Sequence, residues 1–137
     1  MIPNEKIEKL MKKNKFHFAT LDEGYWAFQS THGIIHIQNW KDAGILNFWI
    51  YIDDIDNYSD LSQAVLIWLL KKNSTARQGG FAIIENVKEK KKGLILINRI
   101  QTADLDWSEF AGTINSLIAT YDETKTEIHK YLKKPKD

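Results

Sequence analysis

Alternation of apolar and polar residues marks three consecutive strands in the first third of the chain. In YWAFQST (25–31), Trp26 and Phe28 fall on one side and Tyr25, Ala27 and Gln29 on the other. A His32-Gly33 turn leads into IIHIQNW (34–40), with Ile35 and Ile37 on one face and Ile34, His36, Gln38 and Trp40 on the other. KDAG (41–44) turns the chain again into ILNFWIYI (45–52), where Leu46, Phe48, Ile50 and Ile52 share a face. Alternating strands joined by short turns predict an antiparallel meander. The preceding FHFATLD (16–22) reads equally well as a short extra strand or an extended lead-in.

The period changes to helical on either side of the meander. Residues 4–14 carry Ile7, Leu10 and Met11 on one face, with Asn4 placed to cap the helix and Asn14 to stop it. Three apolar residues hold it down, so packing must stabilise it. LSQAVLIWLLKKN (61–73) is apolar almost all round from Ala64 to Leu70. Such a helix is covered on more than one side, by the sheet and by another helix or a second chain. Ser59 or Asp60 caps it, and Lys71 and Lys72 complement its C-terminal dipole. GFAIIENV (80–87) and GLILINRIQ (93–101) then form a hairpin around the lysine-rich loop KEKKK (88–92). The final helix runs from about Trp107 to Leu132, with apolar residues from Trp107 to Ile128 at helical spacing. At 1.5 Å per residue it spans on the order of 40 Å, enough to cross a small sheet.

The junction RIQTADLDWSEF (99–110) is the most specific local signal. Asp106 stands at the N-cap and Glu109 at N3, the spacing of a capping box. Leu105 and Phe110 occupy the two ends of a hydrophobic staple. These four residues fix how the last helix leaves the last strand.

The whole reads as one α+β domain over residues 1–137: an antiparallel sheet in the order α-βββ-α-ββ-α with helices packed on it. Composition narrows the function. There is no cysteine, which removes disulfides and cysteine-ligated metals. The start of the chain lacks the apolar stretch of a secretory signal, and the longest apolar run, Ala64–Leu70, is far short of a membrane span. Nineteen basic against eighteen acidic residues leave a net charge of +1, without the basic excess expected for nucleic acid, and an RNP-type aromatic–glycine motif is absent. Five Trp is the unusual number, with five Tyr and six Phe beside them; large aromatics fill cores and also anchor interfaces.

Catalytic and metal motifs are missing. His17, His32, His36 and His129 show no HExxH spacing. His36 alternates with isoleucines and reads as a structural histidine. DDIDNYSD (53–60) lacks the central Gly and closing Glu of a calcium loop. RQGG (77–80) is a turn rather than a phosphate loop. Arg99 is the one charge inside the last strand, expected to face solvent or pair with a carboxylate. The expectation is a non-enzyme with no catalytic residue, metal or cofactor.

Three stretches carry a resemblance: LLKKNSTARQGGFAI (69–83), LILINRIQTADLDWSEF (94–110) and INSLIATYDETKTEI (114–128). With the element order, they resemble the type III secretion chaperone (CesT-type) group, and more closely its YbjN-like branch. Asn73, Phe81, Arg99, Leu105, Asp106, Glu109 and Phe110 occupy the matching positions, and Trp26 matches a Trp in the first strand. The resemblance implies a small cytoplasmic bacterial protein, non-enzymatic and homodimeric. It would be an adaptor that holds a protein or an extended peptide, without nucleic acid or membrane. On that reading Ile7, Leu10, Met11, Trp26, Trp40 and Trp49 are the partner-binding candidates, and Leu66, Ile67, Leu70 and Phe81 the dimer candidates. The competing reading is a small-molecule sensor or regulator. It predicts a closed pocket under the final helix, with Arg99 or His36 turned inward.

Overall fold

A sheet of six antiparallel strands carries all three helices on one of its faces. The computed structural model describes residues 2–54, 63–75, 79–86, 88–89 and 91–132. Within these, the side chains of 63–66, 74–75, 86 and 128–132 lie outside the description. The elements are α1 (Asn4–Lys13), β1 (Ala19–Asp22), β2 (Tyr25–Ser30), β3 (Gly33–Trp40), β4 (Ile45–Asp54), α2 (Gln63–Thr75), β5 (Gly80–Asn86), β6 (Lys91–Gln101) and α3 (Trp107–Leu132). A single 3₁₀ turn, Lys41–Ala43, joins β3 to β4. The strand order is β1-β2-β3-β4-β6-β5. Four strands therefore precede α2 rather than three. Part of FHFATLD is β1, an edge strand paired with β2 and bulged between Thr20 and Asp22. Its residues are all exposed, so no burial alternation announced it.

The register sorts side chains between two unlike faces. Phe28, Ile35, Ile50, Leu96 and Phe81 form one row across five strands. That row meets Ile7 and Met11 of α1, Leu69 of α2, and Phe110, Ile114, Leu117 and Tyr121 of α3 in a single core. Phe110 is fully buried and meets Phe48 edge to face at 5.3 Å between centroids. Phe16, from the lead-in to β1, meets Phe28 in a tilted contact at 4.4 Å between centroids and Phe110 edge-on at 5.6 Å. The parallel row on the other face is Ala27, His36, Trp49, Ile97 and Gly80.

Helix α1 is pinned more firmly than its three apolar residues predict. Trp26 Nε1 donates to Glu8 Oε1 at 2.9 Å. Asn39 Nδ2 donates to the Ile2 carbonyl and to Asn4 Oδ1, at 3.0 and 2.8 Å. Asn4 is thus drawn away from capping: the N-cap is Pro3, with no side-chain cap bond. Asn14 does end the helix, donating its Nδ2 to the Leu10 carbonyl. The caps expected for α2, Ser59 and Asp60, lie outside the described residues.

The junction into α3 forms as the spacing implies, with one half of the box. The Glu109 backbone N–H donates to Asp106 Oδ1 at 2.7 Å. Leu105 and Phe110 both pack into the core, the staple's two ends. Asp104 takes a left-handed φ of 55° to turn the chain there. The hairpin's other end depends on Gly79, whose φ is +70° and where a Cβ would fall 1.7 Å from the Ile97 carbonyl oxygen.

Two substitutions separate the local signal from the packing it directs. Asp106→Ala lowers the urea-unfolding free energy by about 1 kcal/mol. Phe110→Ala lowers it by about 3–5 kcal/mol, because it empties the centre of the helix–sheet interface.

Candidate functional site

With every helix on one side, the opposite sheet face has no layer over it among the described residues. It is aromatic. The His36 ring lies flat on Trp49, with centroids 3.7 Å apart and 5° between planes. Tyr25 Oη and His36 Nδ1 share a hydrogen bond of 2.6 Å. Burial holds the His36 pKa below 6.5 and the Tyr25 pKa above 10.0, because each charged form would be poorly hydrated there. Both are therefore neutral near pH 7. Trp49 is only 9% exposed although no helix covers it.

A second group lies two residues further along the same strands. Asn47 is 2% exposed, and its Nδ2 donates to Gln38 Oε1 at 3.1 Å. Asn47 Oδ1 accepts from Arg99 Nε at 3.3 Å. The Arg99 guanidinium then crosses β4 to lie over the Trp40 ring, 5.1 Å from its centroid. Of the two expectations for Arg99, solvent or a carboxylate, the first holds: the residue is exposed, and its side chain meets an aromatic ring and an amide.

The face ends in a hollow. Tyr51 lies across Gly93, where a Cβ would meet its ring, and hydrogen-bonds Asp54. Trp49, Tyr51, Ile84 and Gly93 line a depression of about 520 Å³ rimmed by Lys88, Glu89 and Lys91. A second hollow, of about 450 Å³, wraps the start of β5 between Ile97, Ala82, Gly80 and Arg99. Ile34, Trp40, Tyr51 and Ile84 are the large apolar residues most exposed on this face.

A separate apolar patch sits at the β5 edge. Ile67 and Leu70 of α2 are 44% and 67% exposed, and Ile83 of β5 is 57% exposed. The Asn73 side chain holds the end of α2 to that edge, accepting from the Phe81 N–H at 2.6 Å and donating to the Phe81 carbonyl at 3.2 Å. One amide thereby occupies one outward backbone pair of an edge strand, which blunts the edge at that point.

The sequence candidates divide accordingly. Trp40 and Trp49 belong to the uncovered face. Ile7, Met11 and Trp26 are each 0% exposed, taken up by the contact between α1 and the sheet rather than offered at the surface. Leu10 is half-buried against the same core. Ile67 and Leu70 stand on the outer patch, Phe81 is half-buried beneath α2, and the Leu66 side chain lies outside the described residues. The expected pocket under the final helix is a cleft of about 10 Å³ between Leu96, Asn98, Leu117 and Thr120, and Arg99 and His36 lie on the other face. The space there suits one water molecule rather than a metabolite. Tyr51, Ile84 and Asn73 were missed as site residues, and only the strand register reveals them.

Among the described residues, no three His, Asp or Glu side chains are placed to hold a metal ion. No described helix is long and apolar enough to cross a membrane. Most of the acidic stretch 53–60 lies outside the described residues.

The one-sided helix layer on an antiparallel sheet defines the type III secretion chaperone-like fold, shared with YbjN. A chain of the ExsC–ExsE complex matches with a TM-score of 0.68 at 15% identity, over 93% of this chain and 97% of that one. YbjN from E. coli matches with a TM-score of 0.64 at 10% identity, over 93% and 91%. A chain of the heterodimeric ExoU–SpcU complex, from the type III secretion system of Pseudomonas aeruginosa, matches at 0.60 and 15% identity, over 93% and 98%. No family model and no curated protein matches the sequence.

The His36 environment gives a direct test. Its NMR titration midpoint falls below 6.5. Because the unfolded chain then binds the proton more readily than the folded one, His36 withdraws stability as pH drops below about 6.5. His36→Gln removes that part of the pH dependence.

Proposed function

We propose that the protein is a non-enzymatic, chaperone-like adaptor that binds another protein or an extended peptide and works as a homodimer. The uncovered aromatic sheet face carries this reading. It presents Ile34, Trp40, Tyr51 and Ile84 to solvent around a stacked His36–Trp49 pair, an arrangement suited to a partner's apolar side chains. Similarity of fold to chains solved within the ExsC–ExsE and ExoU–SpcU complexes supports a protein partner. The patch of Ile67, Leu70 and Ile83 supports self-association, since it is apolar, exposed and separate from the aromatic face. Two copies joined there would leave both aromatic faces free.

Light scattering at micromolar concentration gives twice the chain mass of 16.0 kDa. The double substitution Ile67→Glu and Leu70→Glu returns a folded monomer. A wild-type monomer would contradict the dimer. Affinity capture from the source cell tests the adaptor role. A discrete protein recovered with the wild-type chain is lost on Ile34→Glu with Ile84→Glu. Equal recovery by both baits would contradict the role of this face.

A further inference from the structure

We propose that Arg99 is a carboxylate receptor for an acidic–apolar segment of a partner protein lying extended along β6 on the uncovered face. This rests on the adaptor reading and names the chemistry of its partner.

The guanidinium is already positioned. Trp40 supports its flat side, and Asn47, itself held by Gln38, accepts from Nε. Among the described residues neither terminal nitrogen of Arg99 has an acceptor, and no carboxylate lies within ion-pair distance. Its neighbours on the face, Trp40, Asn47 and Ile97, carry no charge. An arginine whose two terminal amino groups are free, and whose rotamer is fixed in advance, matches the two oxygens of a carboxylate. Fixing it beforehand reduces the ordering cost on binding.

The hollows give the segment its pattern. Ile97 lies two residues from Arg99 on the same strand face, next to Trp49, and Gly93 lies six residues away beside the larger hollow. An extended peptide advances about 3.3 Å per residue, as β6 does. An acidic side chain at Arg99 therefore sets an apolar side chain two positions on against Ile97 and Trp49. A second, six positions on, falls into the hollow of Trp49, Tyr51 and Ile84. A nucleic-acid strand fits less well: it would bring several phosphates to a stretch whose described cations are Arg99 at one end and Lys88 and Lys91 beside Glu89 at the rim of the larger hollow, on a chain of net charge +1.

The test uses a fluorescein-labelled seven-residue peptide with Glu first, Leu third and seventh, and Ser and Thr elsewhere. Its copy with Gln in place of Glu is the control. Anisotropy shows the Glu peptide bound at least ten-fold more tightly, and Arg99→Gln abolishes that difference. The Trp40 and Trp49 indole N–H signals shift on binding, and unchanged thermal melting of Arg99→Gln shows an intact fold. Equal binding of the two peptides, no binding of the Glu peptide, or discrimination that survives Arg99→Gln overturns the proposal. Arg99-dependent binding of a single-stranded oligodeoxynucleotide in preference to the Glu peptide also overturns it. If the carboxylate fails while cellular capture still depends on Ile34 and Ile84, the adaptor reading stands and only this receptor falls.

Discussion

Phe110 buried edge to face against Phe48 is the contact on which the rest of the molecule depends. It sets the first turn of α3 on the middle of the sheet, and the helix then runs its apolar side over β4 and β6. Phe16 joins the same ring cluster from the chain preceding β1, so the N-terminal segment is drawn onto the same face. Large rings at a close-packed junction leave little freedom in where the helix lies. The capping bond from the Glu109 N–H to Asp106 fixes the direction of entry, and the rings fix the position.

Once α1, α2 and α3 occupy one face, the other has no layer over it among the described residues. Its side chains pack laterally instead. His36 covers one side of Trp49, Tyr51 closes over Gly93, and Arg99 reaches across β4 to Trp40. Each contact hides part of an apolar group without a second layer. What stays exposed is a surface whose side chains already hold one another in place, so a partner meets an organised face rather than a mobile one. The same one-sided cover accounts for α2: Leu69 enters the core and Trp68 packs against it, whereas Ile67 and Leu70 point away from the sheet. Among its described apolar side chains, α2 thus gives two to its own chain's core and leaves two exposed.

Much of this was legible in the residues. In β2, β3 and β4 the helix-facing positions recur at every second residue as large apolar side chains, because that face packs into the core, the condition under which period-two patterning is informative. The α3 junction was legible because a cap and a staple are local. What escaped notice was set by long sequence separation. Asn39 anchors Ile2 and Asn4 across the sheet edge, and Asn47 meets Arg99 from 52 residues away. No spacing rule reveals either pair before the register is known. Trp26 and Met11 misled for a related reason. A large apolar residue in a sparsely apolar helix or first strand looks available for a partner until the two are found packed into one core.

The most direct measurement of the account is site-resolved photocrosslinking in the source cell. A photoreactive residue is placed at Tyr51 on the uncovered face and, as a control, at Glu123 on the exposed side of α3. A discrete protein adduct is expected from position 51, mapping to an extended segment with an acidic residue beside apolar ones, and none from position 123. Adducts from the helical side alone, or from neither position, would contradict it.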